Sequence, residues 1–142
     1  MSMIRGAECR DLDSVYRLMR QLSSHSFTKG QFEDCYFFNL EKGRILVYED
    51  ENVICGCIVY TIHYPMHFSR KTVEIVNLIV DENCRNNGVG KDLLAALEQI
   101  AIDNCCVRLE VDTNKIREGA QRFYSREGFE STHIKLTKEL SL

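Results

Sequence analysis

Apolar positions along this chain follow two periods, and the switch between them marks the elements. From Val73 to Val80 they are nearly continuous: Val73, Ile75, Val76, Leu78, Ile79 and Val80. The run is rich in β-branched residues and ends at a polar cluster, which predicts a buried strand. Beyond it the spacing becomes helical. Val89, Leu93, Leu94, Leu97, Ile100 and Ala101 share one face of a helix that opens on the last glycine of a short loop and closes at Asn104. The rest of the chain is organised around this strand–loop–helix unit, Val73 to Ile102.

The flanking segments read in the same way. Met3 to Ala7 is a short first strand. Glu8 to Leu22 is an amphipathic helix with Leu12, Val15, Leu18, Met19 and Leu22 on one side, broken by Ser-Ser-His-Ser at 23 to 26. Thr28 caps a second helix that reaches Leu40. Its Phe37-Phe38 pair is expected to pack in the core rather than line a pocket. Arg44 to Glu49 and Val53 to His63 form a hairpin turning at 50 to 52, with Gly56 marking a bulge. The loop from 63 to 71 carries the single proline, Pro65. Cys106 to Asp112 alternates, with Val107, Leu109 and Val111 facing one way and Arg108, Glu110 and Asp112 the other. A last helix, Glu118 to Arg126, ends at Gly128, and His133 to Leu140 reads as a terminal strand. Strands interleaved with helices predict one mixed α/β domain over residues 1–142.

The loop inside the central unit carries the chemistry. Gly88 and Gly90 let backbone approach a ligand closely, and the first N–H groups of the helix have no intrahelical acceptor. Such a loop is an anion cradle. The nucleoside-triphosphate pattern GxxxxGK[ST] fails, with Arg85 in place of its first Gly and Asp92 after Lys91. The dinucleotide pattern GxGxxG fails at Leu93. The pattern [RQ]xxGx[GA] directly after a strand is met in full by Arg85-Asn86-Asn87-Gly88-Val89-Gly90.

With that loop the chain resembles the GNAT superfamily of acyl-CoA-dependent N-acetyltransferases. A second, independent stretch, Ala120 to Phe129, is similar to the family's late AxxFYxxxGF helix, with Arg117 where many members carry Asn. The resemblance implies a twisted, mostly antiparallel sheet of six or seven strands with helices on both faces. It also implies that the central strand and the Cys106–Asp112 strand splay apart. The amides of Asn86, Asn87, Gly88, Val89, Gly90 and Lys91 would hold the acetyl-CoA pyrophosphate, and Arg85 or Lys91 could add charge or only solvate the loop. The backbone of Leu78, Ile79 and Val80 would hold its pantetheine arm. Tyr124 would lie near the thioester sulfur as acid.

The base is chosen on chemical grounds. An alkyl amine with a pKa near ~10.4 is mostly protonated at neutral pH, so a carboxylate that takes its proton aids attack. Glu74 in the central strand is the first candidate, with Glu110 and Asp112 next. His63 and His67 are read as solvated loop residues. The expected reaction is direct transfer from acetyl-CoA to a primary amine of a small molecule or protein. The alternative is a non-catalytic module that binds acyl-CoA as a regulatory ligand.

Composition narrows the partners. A net charge of −3 over 142 residues disfavours nucleic acid. No apolar run approaches the ~18 residues of a membrane span, so neither a membrane nor a secretory route is expected. The seven cysteines include no CxxC pair, which argues against a metal site and for a reducing, cytoplasmic setting. Cys55 and Cys57, two apart in a strand, are expected on one face. A homodimer through the last strand is allowed but required by no residue.

Overall fold

The computed structural model describes residues 1–22 and 26–141. Five strands pair as neighbours in chain order: β1 (Ser2–Gly6), β2 (Ile45–Asp50), β3 (Val53–His63), β4 (Lys71–Val80) and β5 (Cys106–Val111). The first three junctions are antiparallel and β4–β5 is parallel. A parallel junction needs a crossover, and helix α3 (Val89–Asp103) supplies it. Helices α1 (Leu12–Leu22) and α2 (Lys29–Glu41) precede β2, and α4 (Glu118–Arg126) follows β5.

Helices cover both faces of the sheet, as expected. On one, Leu93, Leu94 and Leu97 of α3 and Tyr124 of α4 pack with Val73 and Ile75. On the other, Val15 and Leu18 of α1 and Tyr36 of α2 pack with Val47, Cys57 and Val59. Thr28 caps α2: its hydroxyl accepts from Gln31 N–H at 3.1 Å while Gln31 Oε1 accepts from Thr28 N–H at 2.9 Å. The β2–β3 hairpin turns on Glu51 and Asn52, both at positive φ, the backbone that a tight two-residue hairpin turn requires.

Several expectations are corrected. The sheet has five strands among the described residues, not six or seven. Residues 129–141 form no strand. Ile134, Leu136 and Leu140 carry the alternation of a strand but remain exposed. A strand needs a neighbour's backbone, and here the segment makes a side-chain pair just past the end of β5, Lys135 with Asp112 at 3.1 Å. Cys55 and Cys57 lie on opposite faces, in different cores. Tyr48 pairs with Gly56 and Glu49 with Ile54, so Cys55 is an extra residue that inverts the alternation. The bulge expected at Gly56 thus falls on its neighbour. A second extra residue, Val107, sits between the Lys71–Cys106 and Thr72–Arg108 pairs, so Val107 is exposed while Leu109 and Val111 pack. Phe37 and Phe38 are also exposed rather than in the core. The first helix begins as a 3₁₀ turn, Cys9–Asp11. The helix break expected at 23–26 lies, except for Ser26, outside the described residues.

Candidate active site

The mouth of α3 is built from the sheet outward. Gly56 sits in β3 beneath the helix's first turns. A Cβ there would stand 2.8 Å from Val89 Cγ1 and 3.1 Å from both Ile79 O and Leu93 Cδ1. The missing side chain therefore lets α3 settle onto the sheet. Asn86 (φ 69°) and Gly88 (φ 77°) both adopt the left-handed region, and Gly88 is the N-cap without a side-chain cap. Asn tolerates that region better than most residues. No backbone amide from Arg85 to Lys91 donates to another described residue. The helix thus begins with a row of free donors at the positive end of its dipole. Gly90 lies against Val80 and the Phe123 ring, where a Cβ would make ordinary contact at 3.5 Å. Arg85 Nε reaches back to Val80 O at 3.4 Å, and Lys91 is exposed.

The slot next to this mouth comes from a strand that outruns its partner. β4 pairs with β5 from Lys71 to Ile75, where Ile75 meets Val111. It then continues to Val80, held only by β3. On the β5 side, the N–H and C=O groups of Val76 to Val80 have no strand neighbour. The splay expected between these two strands is therefore present, and Leu78, Ile79 and Val80 line its β4 edge.

Tyr124 is 8% exposed, on α4, with the Phe123 and Phe129 rings edge-on to it at 5.2 and 5.3 Å. It packs in the same core as Val73 and Ile75, the strand residues at the bottom of the slot. Burial pushes its phenol up to about 12, so the hydroxyl is a proton-bearing donor at neutral pH. Glu74 lies in register with Thr61 on β3 and Glu110 on β5. His63 Nε2 is 3.5 Å from Glu74 Oε1 and 2.9 Å from Thr61 Oγ1. Glu110 accepts from Arg108 at 2.7 and 3.0 Å, and Asp112 pairs with Lys135. His67 is exposed. Of the candidate carboxylates, Glu74 alone is held by a histidine.

The acetyltransferase (GNAT) family model matches residues 12–129. The chain belongs to the GNAT acetyltransferase family. It is an enzyme that transfers an acetyl group to an amine, and acetyl-CoA is the family's co-substrate. The free amides of 85–91 and the unpaired edge of β4 suit a diphosphate and a polar, amide-bearing arm respectively. A curated relative, the aminoalkylphosphonate N-acetyltransferase of Salmonella typhimurium, is 31% identical over 140 residues, covering 96% of this chain and 90% of the relative. Among solved structures, AAC(6')-Iy in complex with a bisubstrate CoA analogue superposes with a TM-score of 0.85 at 19% identity, covering 100% of this chain and 99% of that one. Glucosamine-6-phosphate N-acetyltransferase from Arabidopsis thaliana does so at 0.79 and 21%, covering 99% of each chain. These structural likenesses show that the GNAT fold is shared.

Sequence reasoning missed the ties between α1 and this loop. Arg17 Nη1 forms an ion pair with Asp81, and its Nη2 donates to Ile54 O at 3.2 Å. Gln21 Oε1 accepts from Glu82 N–H at 3.2 Å. Residues over sixty positions apart carry no local signal for such pairs. Asp81 is 5% exposed and also accepts from Asn83 N–H at 2.9 Å. That backbone bond first, and Arg17 second, hold its carboxyl below the usual carboxylate range. A carboxyl depressed in the folded state adds stability above its unfolded pKa of ~3.9, lost as pH falls through the folded value. Asp81→Asn is therefore expected to lower the melting temperature at pH 7. It should also flatten the acid limb of the stability curve below about pH 4, as followed by thermal melts from pH 2 to 7.

Between α1, α2 and the sheet lies a cleft of about 330 Å³. Val15, Met19, Phe32, Tyr36 and Asn77 line it, and none of the described lining residues is charged.

Proposed function

We propose that this enzyme moves the acetyl group of acetyl-CoA directly onto the primary amine of a small acceptor carrying an anionic group, of the aminoalkylphosphonate kind. The observation that carries the reading is the row of free amides from Arg85 to Lys91 beside the open edge of β4. The Salmonella relative supports the acceptor class, and seven free cysteines are in keeping with a reducing, cytoplasmic setting.

Each residue has a defined task in this reading. The amides of 85–91 hold the diphosphate, and the backbone of Leu78, Ile79 and Val80 holds the arm along the slot. Bound there, acetyl-CoA supplies a thioester carbonyl for the amine to attack. Glu74 takes the proton of the incoming ammonium, and His63 with Thr61 holds that carboxylate in place. Tyr124 donates a hydrogen bond to the departing sulfur. A phenol near 12 keeps its own proton against a thiolate whose conjugate acid lies near ~8.5. Its role is then to stabilise developing charge rather than to give the proton away.

The test is thiol release from acetyl-CoA with 2-aminoethylphosphonate, neutral amines and diamines as acceptors. Phosphonate-dependent release with an N-acetylated product is expected. Release with the other amines alone would overturn the acceptor class, and binding without release would favour the regulatory module. Glu74→Gln should lower kcat/KM by ~10²-fold at pH 7, the scale of a lost general base. The deficit should shrink as pH approaches the amine's own pKa, because the acceptor then arrives unprotonated.

A further inference from the structure

The sheet face that holds Glu74 carries a second charged group, one side-chain repeat further from the slot. The guanidinium carbons of Arg70 and Arg108 lie 4.2 and 4.6 Å from the centroid of a single ring, Phe68. Two like charges on one ring repel unless something between them carries the opposite charge. Arg108 is engaged by Glu110. Arg70 has no ion pair among the described residues, and Lys71 follows it over the Tyr64 ring. A separate observation marks the same place. Thr72, in register with Arg108 on β5 and His63 on β3, is 1% exposed, and its hydroxyl has no hydrogen-bond partner among the described residues. The buried hydroxyl, in register with Arg108, is a polar group that this face leaves without a partner among the described residues.

The order along the face is then fixed by register. The slot closes at the Ile75–Val111 level, Glu74 and Glu110 stand at the next, and Arg108 with Thr72 at the level beyond. Thr72 and Glu74 are two residues apart on one face, roughly 7 Å along the strand. That is the scale of a short aminoalkyl chain with an ammonium at one end and an oxyanion at the other. The described lining of the cleft between α1 and α2 carries no charge and offers such a molecule neither contact.

We propose that Arg70 and Arg108, both against the Phe68 ring, form the subsite for the anionic end of the acceptor, while Glu74 receives its amine. This rests on the acceptor reading given above and specifies where that class is read. The ligand is a phosphonate, or a phosphate monoester or sulfonate of the same span.

The test compares kcat/KM, with acetyl-CoA saturating, for 2-aminoethylphosphonate and for 1-aminopropane. Ethanolamine phosphate and taurine serve as further anionic arms. In Arg70→Gln and in Arg108→Gln the ratio of phosphonate to neutral amine is expected to fall at least tenfold, with part of the loss restored in Arg70→Lys. Arg70 pairs with no carboxylate among the described residues, so its replacement keeps the test valid if Arg108→Gln melts early. A ratio within threefold of wild type in Arg70→Gln and in every Arg108 variant that folds overturns the subsite and leaves the acceptor reading standing. A wild-type enzyme that acetylates 1-aminopropane as readily as every anionic amine overturns both.

Discussion

Tyr124→Phe is expected to lower kcat by ~10²-fold or more while leaving the KM for acetyl-CoA within about threefold. The size is that of losing one donor aimed at developing negative charge. The split between the two constants follows from the ring. Phenylalanine keeps the edge-on contacts with Phe123 and Phe129 at 5.2 and 5.3 Å, so α4 and the slot it backs stay in place. Only the hydroxyl is removed. Stopped-flow thiol release measures kcat, and a thermal melt verifies the packing. A variant with unchanged kcat would reduce Tyr124 to a packing residue, and the leaving sulfur would need another donor.

Gly56→Ala is expected to destabilise the fold by ~1–3 kcal/mol, the usual penalty for an extra methyl group in a filled core. It should also weaken acetyl-CoA binding. The added carbon would meet Val89 Cγ1 at 2.8 Å, closer than such contacts tolerate, and Ile79 O is backbone that cannot turn aside. The helix must back away, and the free amides at its mouth move with it. Melting curves with and without acetyl-CoA separate the two effects, since a displaced loop reduces the ligand's stabilising shift. Adding Val89→Ala should recover part of the loss by removing the nearest obstacle. A Gly56→Ala protein that melts and binds like wild type would show that α3 does not depend on this close approach.

The central unit was legible because each of its signals is local. A β-branched run, glycines at a turn and a 3.6-residue stripe are each complete within a dozen residues, and the α2 cap at Thr28 and Gln31 is equally short-range. What escaped is whatever depends on pairing. The extra residue at Cys55 is defined by which residues of β2 lie opposite, so two cysteines assigned to one face end on two. Val107 escaped for the same reason against β4. The alternation of Ile134 and Leu136 was real, but a strand also requires a partner's backbone. At the site, the glycine-loop signature predicted the free amides, and the slot beside them was implied by family resemblance. The His63–Glu74 contact was not visible, because it joins two strands through side chains that carry no motif.

Arg17 and Gln21 couple the α1–α2 cleft to the loop at the mouth of α3. Both project from the helix that walls the α1–α2 cleft, and both grip the chain immediately ahead of the glycine loop. Anything that seats α1 more firmly also steadies Asp81 and Glu82. By thermodynamic reciprocity, a nucleotide settling on the loop returns the same free energy to α1. A molecule that presses on that helix from the cleft and an anion that occupies the loop would then each tighten the other's grip, with no rearrangement of the sheet between them.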